Sequence, residues 1–415
     1  MHPRIVITGL GVVSPAGIGS GAFFEALTSG RSLVADLHAP WAQAPFAHGA
    51  AVRDTGARGR IAASKLRRMG RLSQMAVVAA LEALEQSGPA DPDTGVVMGT
   101  GFGALEETVT FIGELLAEGA GAANPALFPA SVMNVAAAHI SMELGLPGYN
   151  TTVNHKEISS EMALLVAADA LRLGHVGRLL VGGVDELSAP LHHGYRRLGA
   201  LTQGQARPYG LGRDGVCLGE GAAVVALELR ERALARGAAV LCEVAGIGAA
   251  GGPRPLVGWG PASEAGRTIG PSVAAGVAAV EAALDDAGAP GGPGSRMCSS
   301  AIDLVIGCGC GSPELDRLDA DVIGAALQGR GVLVTSPHGA LGTFPAAGAV
   351  RLASAVETLR RGCVYPTIAD GEVDPEAVPG VLVKEILRRE VREVMLLSHA
   401  SGGGSAAIVL QRGES

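Results

Sequence analysis

The chain has 415 residues, 48% of them hydrophobic and 17% charged, with a net charge of −8 and a pI near 5.7. That length fits roughly two to three average domains or two large fused halves, and the composition excludes a disordered or fibrous chain. The acidic balance, with no basic run, argues against a nucleic-acid surface, and six cysteines are too sparse for a disulfide scaffold.

In chain order, M-H-P-R-I-V-I-T-G runs straight into an apolar strand, with no charged n-region followed by an apolar h-region. No uninterrupted apolar stretch of about 20 residues follows, so a soluble cytoplasmic protein without a membrane span is expected. Residues 77–89, V-V-A-A-L-E-A-L-E-Q-S-G-P, form an Ala-rich amphipathic helix stopped by glycine. A buried strand ending in glycines, G-V-V-M-G-T-G-F-G, follows at 95–103. Its G-T-G-F-G lacks the spacing of a dinucleotide fingerprint, so tight turns are expected there and no nucleotide cofactor. The segment 106–116, E-E-T-V-T-F-I-G-E-L-L, is amphipathic, with Glu106, Glu107 and Glu114 expected on its solvated face. At 151–161, T-T-V-N-H-K-E-I-S-S-E, a strand delivers Glu157 to the start of a helix that is apolar on nearly every face and therefore buried. Ser159 and Ser160 lie on that inward helix without a G-x-S-x-G elbow, which favours packing over hydrolysis. His155 and Lys156 either line a pocket or face a partner.

The second half echoes the first. Helix, glycine stop and buried strand recur in V-A-A-V-E-A-A-L-D-D-A-G-A-P (277–290) and D-L-V-I-G-C-G-C-G (303–311). The buried helix of 158–174 recurs at 346–362, and the opening R-I-V-I-T-G-L-G (4–11) recurs loosely as E-V-A-G-I-G (243–248). The expected organisation is two α/β halves, 1–240 and 241–415, with strands covered on both faces and the two buried helices forming a layer between the sheets. Cys308 and Cys310 are spaced C-x-C with no second ligand cluster, so no metal is expected. Cys308 has no evident base and reads as a small core residue.

Several longer segments together resemble the thiolase-like β-ketoacyl-ACP synthases over nearly the whole chain. They are the opening strand R-I-V-I-T-G-L-G-V-V-S-P-A-G, R-M-G-R-L-S-Q-M-A (68–76), N-P-A-L-F-P-A-S-V-M-N (124–134) and L-L-V-G-G-V-D-E (179–186). A-R-P-Y-G-L-G-R-D-G-V-C-L-G-E-G-A (206–222), S-P-H-G-A-L-G-T-F-P-A-A-G-A (336–349) and H-A-S-G-G-G-S-A (399–406) complete the set. The resemblance implies a thiolase fold, two duplicated α/β halves in a five-layer αβαβα body. It also implies condensation by a cysteine nucleophile at a helix N-terminus, helped by two histidines that donate to a thioester oxygen.

Those groups are missing. Anchored on Gly174 and Gly182–Gly183, the nucleophile position is Glu157. The first histidine position is Cys308, the second is Thr343, the family lysine is replaced by His338, and the gating phenylalanine by Ser401. A carboxylate at 157 is expected to be satisfied by the orphan N–H groups of its helix, as a plug in a vestigial pocket. The pattern resembles the chain-length-factor subunits of type II polyketide synthases, which implies pairing with a catalytic ketosynthase, an acyl carrier protein as partner, and no cofactor. Phe111, Ile112, Leu115, Leu116, Phe128 and Met133 are then candidates for a tunnel or interface surface, against ordinary helix packing. The alternative is a malonyl-ACP decarboxylase that uses Glu157, although an ionised carboxylate has no donor for an enolate and repels the malonyl carboxylate.

Overall fold

In a computed structural model, residues 3–121, 124–252, 270–288, 297–327, 331–369, 371–378 and 380–413 are described. The first half runs β1 (Ile5–Ser14), α1 (Arg71–Ser87), β2 (Thr94–Gly99), α2 (Leu105–Glu118), α3 (Val135–Leu144), β3 (Asn150–Val153), α4 (Ser159–Arg172), β4 (Arg178–Asp185) and β5 (Gly221–Leu229). The second runs β6 (Cys242–Gly251), α5 (Gly270–Gly288), β7 (Leu304–Ile306), α6 (Pro313–Ala326), β8 (Leu333–Thr335), α7 (Gly348–Arg361), β9 (Glu393–His399) and β10 (Gly404–Arg412). The last two positions of the 277–290 motif lie outside the described residues.

From the middle of the molecule outward, the strand orders are β1-β5-β4-β2-β3 and β6-β10-β9-β7-β8. In each half the first two pairings are antiparallel and the last two parallel. The likeness reaches single residues. The register of β1 on β5 slips between Ile7 and Gly9, and that of β6 on β10 between Val244 and Gly246. A Cβ on Gly9 would lie 2.0 Å from the Ala83 carbonyl oxygen of α1, and one on Gly246 would lie 2.1 Å from that of Ala283 on α5. Each glycine therefore lets a helix backbone sit directly on its strand. A short antiparallel match, Ile5–Ile7 on Cys242–Val244, joins the halves into one continuous sheet.

Side-chain alternation sorts the core into layers. Val96 and Met98 of β2 face outward with α1 and α3, while Val97 faces inward. Val305 of β7 faces outward with α5 and α6, while Leu304 and Ile306 face inward. The inward set meets α4 and α7, which lie between the sheets as their apolar sequences require. The αβαβα layering expected from the sequence is the one found. No described helix is long and apolar enough to cross a membrane.

Candidate functional site

The site forms where β3 hands the chain to α4. Beyond Val153 the backbone enters a short 3-10 turn, Lys156–Ile158, in which Lys156 takes a left-handed φ of 51°. That conformation costs a non-glycine residue roughly 1 kcal/mol or more and persists only when its surroundings hold it. Here Ser159 holds it. Its Oγ accepts from the His155 amide at 2.9 Å and donates to the carbonyls of Thr100 (3.1 Å) and Lys156 (2.6 Å). Ser160 Oγ donates to the Ala346 carbonyl at 2.8 Å, so both serines are structural. His155 and Lys156 are exposed beside this turn.

Glu157 projects from the turn, half-buried, and reaches the loop between β9 and β10. The Ser401 amide donates to Oε2 at 3.0 Å, and Ser401 Oγ lies 3.1 Å from both carboxylate oxygens. This corrects the expectation from sequence: the hydrogen bonds found for the carboxylate come from across the pocket, not from the orphan amides of α4. Two of the five positions singled out from the sequence therefore close on each other.

The other three positions lie apart from this contact. Thr343 spends its amide on the Cys217 carbonyl (2.8 Å). His338 is buried, and its Nδ1–H donates to the Gly342 carbonyl at 3.1 Å. Burial, with the Arg351 charge nearby, lowers its pKa to about 3, so it is neutral at physiological pH. Cys308 is buried after β7, and burial pushes its thiol well above the usual range, away from the thiolate that condensation needs.

Two residues near Cys308 were missed from the sequence. The ligand atoms of Cys308, Asp319 on α6 and His399 at the end of β9 all lie within 4.8 Å of one another and are buried. Cys308 thus does have a histidine beside it, contrary to expectation. The C-x-C spacing gave no hint of this, because both partners come from later elements. Asp185 at the end of β4 ties the halves together. It accepts from Thr100 Oγ1 (2.8 Å), from the amides of Gly101 and Phe102, and from the Ala346 amide (2.7 Å). Burial raises its pKa to about 6.

The interface candidates occupy α2 and the following 128–134 turn. No residue of α2 is buried. Leu116 is 80% exposed and Phe128 58%, Ile112, Leu115 and Met133 are also exposed, and Phe111 stacks on Phe128 with centroids 5.7 Å apart. Glu106 and Glu107 instead turn inward, which reverses the expected solvated face for these two. Glu106 accepts from the Ala189 amide (2.9 Å) and Glu114 from the Asn124 amide (2.9 Å). Glu107 is half-buried with Oε2 unpartnered.

Residues 2–233 match the family described as β-ketoacyl synthase, N-terminal domain, and residues 258–369 match its C-terminal domain. A 3-oxoacyl-[acyl-carrier-protein] synthase 2 of Vibrio cholerae is 29% identical, with 99% of each chain covered. Nodulation protein E of a Rhizobium species (strain N33) is 28% identical over 99% of this chain and all of its own. Among solved structures, a β-ketoacyl synthase from Burkholderia phymatum superposes with a TM-score of 0.87 at 25% identity, covering 99% of this chain and 100% of that one. The ishigamide ketosynthase/chain length factor superposes with a TM-score of 0.86 at 26% identity, with both chains fully covered.

Proposed function

Because the chain belongs to the β-ketoacyl synthase family, and a carboxylate stands where its nucleophile is expected, we propose that it is a non-catalytic subunit of the chain-length-factor kind. It pairs with an active ketosynthase, helps to shape the tunnel for a growing polyketide or related β-ketoacyl chain, and meets substrates on an acyl carrier protein. The Vibrio cholerae relative is a synthase by name, so membership alone does not carry the reading. The bonding of Glu157 to Ser401 carries it: the nucleophile position is capped by an acceptor whose oxygens are taken up. The likeness to a ketosynthase/chain length factor supports the same assignment. So does the surface. β3 is the last strand of its sheet among the described residues, with one edge open for pairing, and the exposed apolar side chains of α2 and the 128–134 turn lie on the same half.

The test is reconstitution. The chain is purified alone and with a cysteine-bearing ketosynthase encoded beside it, and each preparation receives malonyl-ACP. The expected result is no malonyl loss by the lone chain, a stable heterodimer, weaker assembly with Leu116→Asp, and altered product length with Phe111→Ala at unchanged assembly. Malonyl loss by the lone chain that disappears in Glu157→Ala would establish a decarboxylase instead.

A further inference from the structure

A buried cluster has a composition that packing does not explain. Cys308, Asp319 and His399 converge from the loop after β7, from α6 and from the end of β9. His399 Nε2 lies 3.5 Å from Asp319 Oδ1, and both side chains are fully buried. Beyond this contact with each other, neither atom has a hydrogen-bond partner. An unsatisfied buried polar atom costs about 1–3 kcal/mol, so two facing one point is an unusual arrangement.

The remaining atoms of the same side chains are firmly held. Tyr209 Oη donates to Asp319 Oδ2 at 2.5 Å and is itself fixed by the Gly309 amide (3.2 Å). His399 Nδ1 bonds Ser405 Oγ at 2.9 Å. With the Nδ1 proton given to that oxygen, Nε2 carries a lone pair toward the cluster. Orienting partners of this kind on the far atoms of a histidine and a carboxylate are the usual outer shell of a metal site. Gly276 of α5 leaves room for Val322 and the imidazole together: a Cβ there would lie 2.4 Å from Val322 Cγ2 and 3.2 Å from His399 Cε1.

We infer that Cys308, Asp319 and His399 form a binding site for one divalent transition-metal ion of the zinc class. A thiolate, an imidazole and a carboxylate are the donors that select such an ion. The two negative charges match its charge, and binding releases the thiol proton to solvent. Two N/O donors on one tetrahedral zinc are separated by roughly 3.3 Å, given bonds of about 2.0–2.1 Å. The His399–Asp319 gap of 3.5 Å is already near that, and the sulfur has to move in by about 1 Å at most. Three protein donors leave a fourth position for water or another exogenous ligand. The site does not rest on the proposed subunit role, because an active enzyme could hold the same ion.

The full chain, carrying no affinity tag that binds metal, is assayed for bound metal by mass spectrometry and then stripped and titrated with Co²⁺. The expected result is one equivalent of zinc per chain. Co²⁺ then gives tetrahedral d–d bands and a sulfur-to-cobalt charge-transfer band. Cys308→Ser abolishes the charge-transfer band, His399→Phe weakens binding at least tenfold, and Cys298→Ser, at an exposed thiol, changes neither. Zinc well below one equivalent together with no saturable Co²⁺ spectrum would overturn the site. So would full retention of both by Cys308→Ser. The measurement on the unmodified chain decides the matter even if a variant folds poorly.

Discussion

Glu157 and Ser401 are small changes with a large joint effect. They stand on opposite sides of the pocket and are hydrogen-bonded to each other. Replacing only the carboxylate should therefore restore a nucleophile without restoring condensation. In Glu157→Cys the thiol sits at the start of α4, where the helix dipole favours the thiolate. It should react with iodoacetamide and accept an acyl group from acyl-ACP. No β-ketoacyl product should form from malonyl-ACP, because Cys308 and Thr343 supply no N–H donors for the enolate, and one such donor is worth about 10²–10³ in rate. Product above background, measured by mass spectrometry of the carrier protein, would mean that the loss is not shared among the positions. The sequence reading places five departures, each by the motifs that flank it. It did not show that two of them touch, or that His399 and Asp319 stand beside Cys308, because those contacts depend on how strands and helices are brought together.

At the scale of elements, α2 departs most from its sequence reading. Its apolar side chains were expected either to pack as an ordinary helix or to line an interface, and its acids to be solvated. An amphipathic pattern fixes that there are two faces, not which one water meets, and here Glu106 and Glu107 face the protein. One consequence can be titrated. Glu186, below α2, accepts from the amides of Leu72 and Glu106 (both 3.2 Å). Burial first, then the charge of Glu107, raises its pKa to about 8 from 4.5. The folded chain thus keeps a proton that the unfolded chain has lost between pH 4.5 and 8, and stability falls as pH rises through that window. Asp185, at about 6, and Asp316, at about 7, act with the same sign over lower windows. Glu107→Gln removes the neighbouring charge and should flatten the fall. Melting followed from pH 5 to 8.5 should show the variant gaining on the parent by about 1 kcal/mol at the alkaline end, roughly one pKa unit's worth. An unchanged slope would show that Glu107 does not act on Glu186.

At the scale of the molecule, the duplication was legible because helix, glycine stop and buried strand recur in order, and the two central helices could be placed because they are apolar all round. The joining of both sheets through β1 and β6 was not legible, since a three-residue antiparallel match has no pattern of its own. Nor was the polar link inside the central layer. There Arg351 of α7 donates to Glu161 of α4 (2.8 Å), to Ser398 Oγ (2.6 Å) and to the Leu397 carbonyl (2.7 Å) of β9. Gly348 makes room for it, because a Cβ there would lie 2.2 Å from Glu161 Oε1. Arg351 and Glu161 are 3% and 1% exposed, so neither charge can turn to water if its partner is removed. Breaking such a pair costs about 3–5 kcal/mol, whereas replacing both partners by apolar groups can be nearly neutral. Arg351→Leu and Glu161→Leu should each lower the urea-unfolding free energy by that measure, and the double variant should cost no more than either single one, well below their sum. Strict additivity would mean that the two halves are held by the apolar layer alone and that the ion pair contributes nothing to their registration.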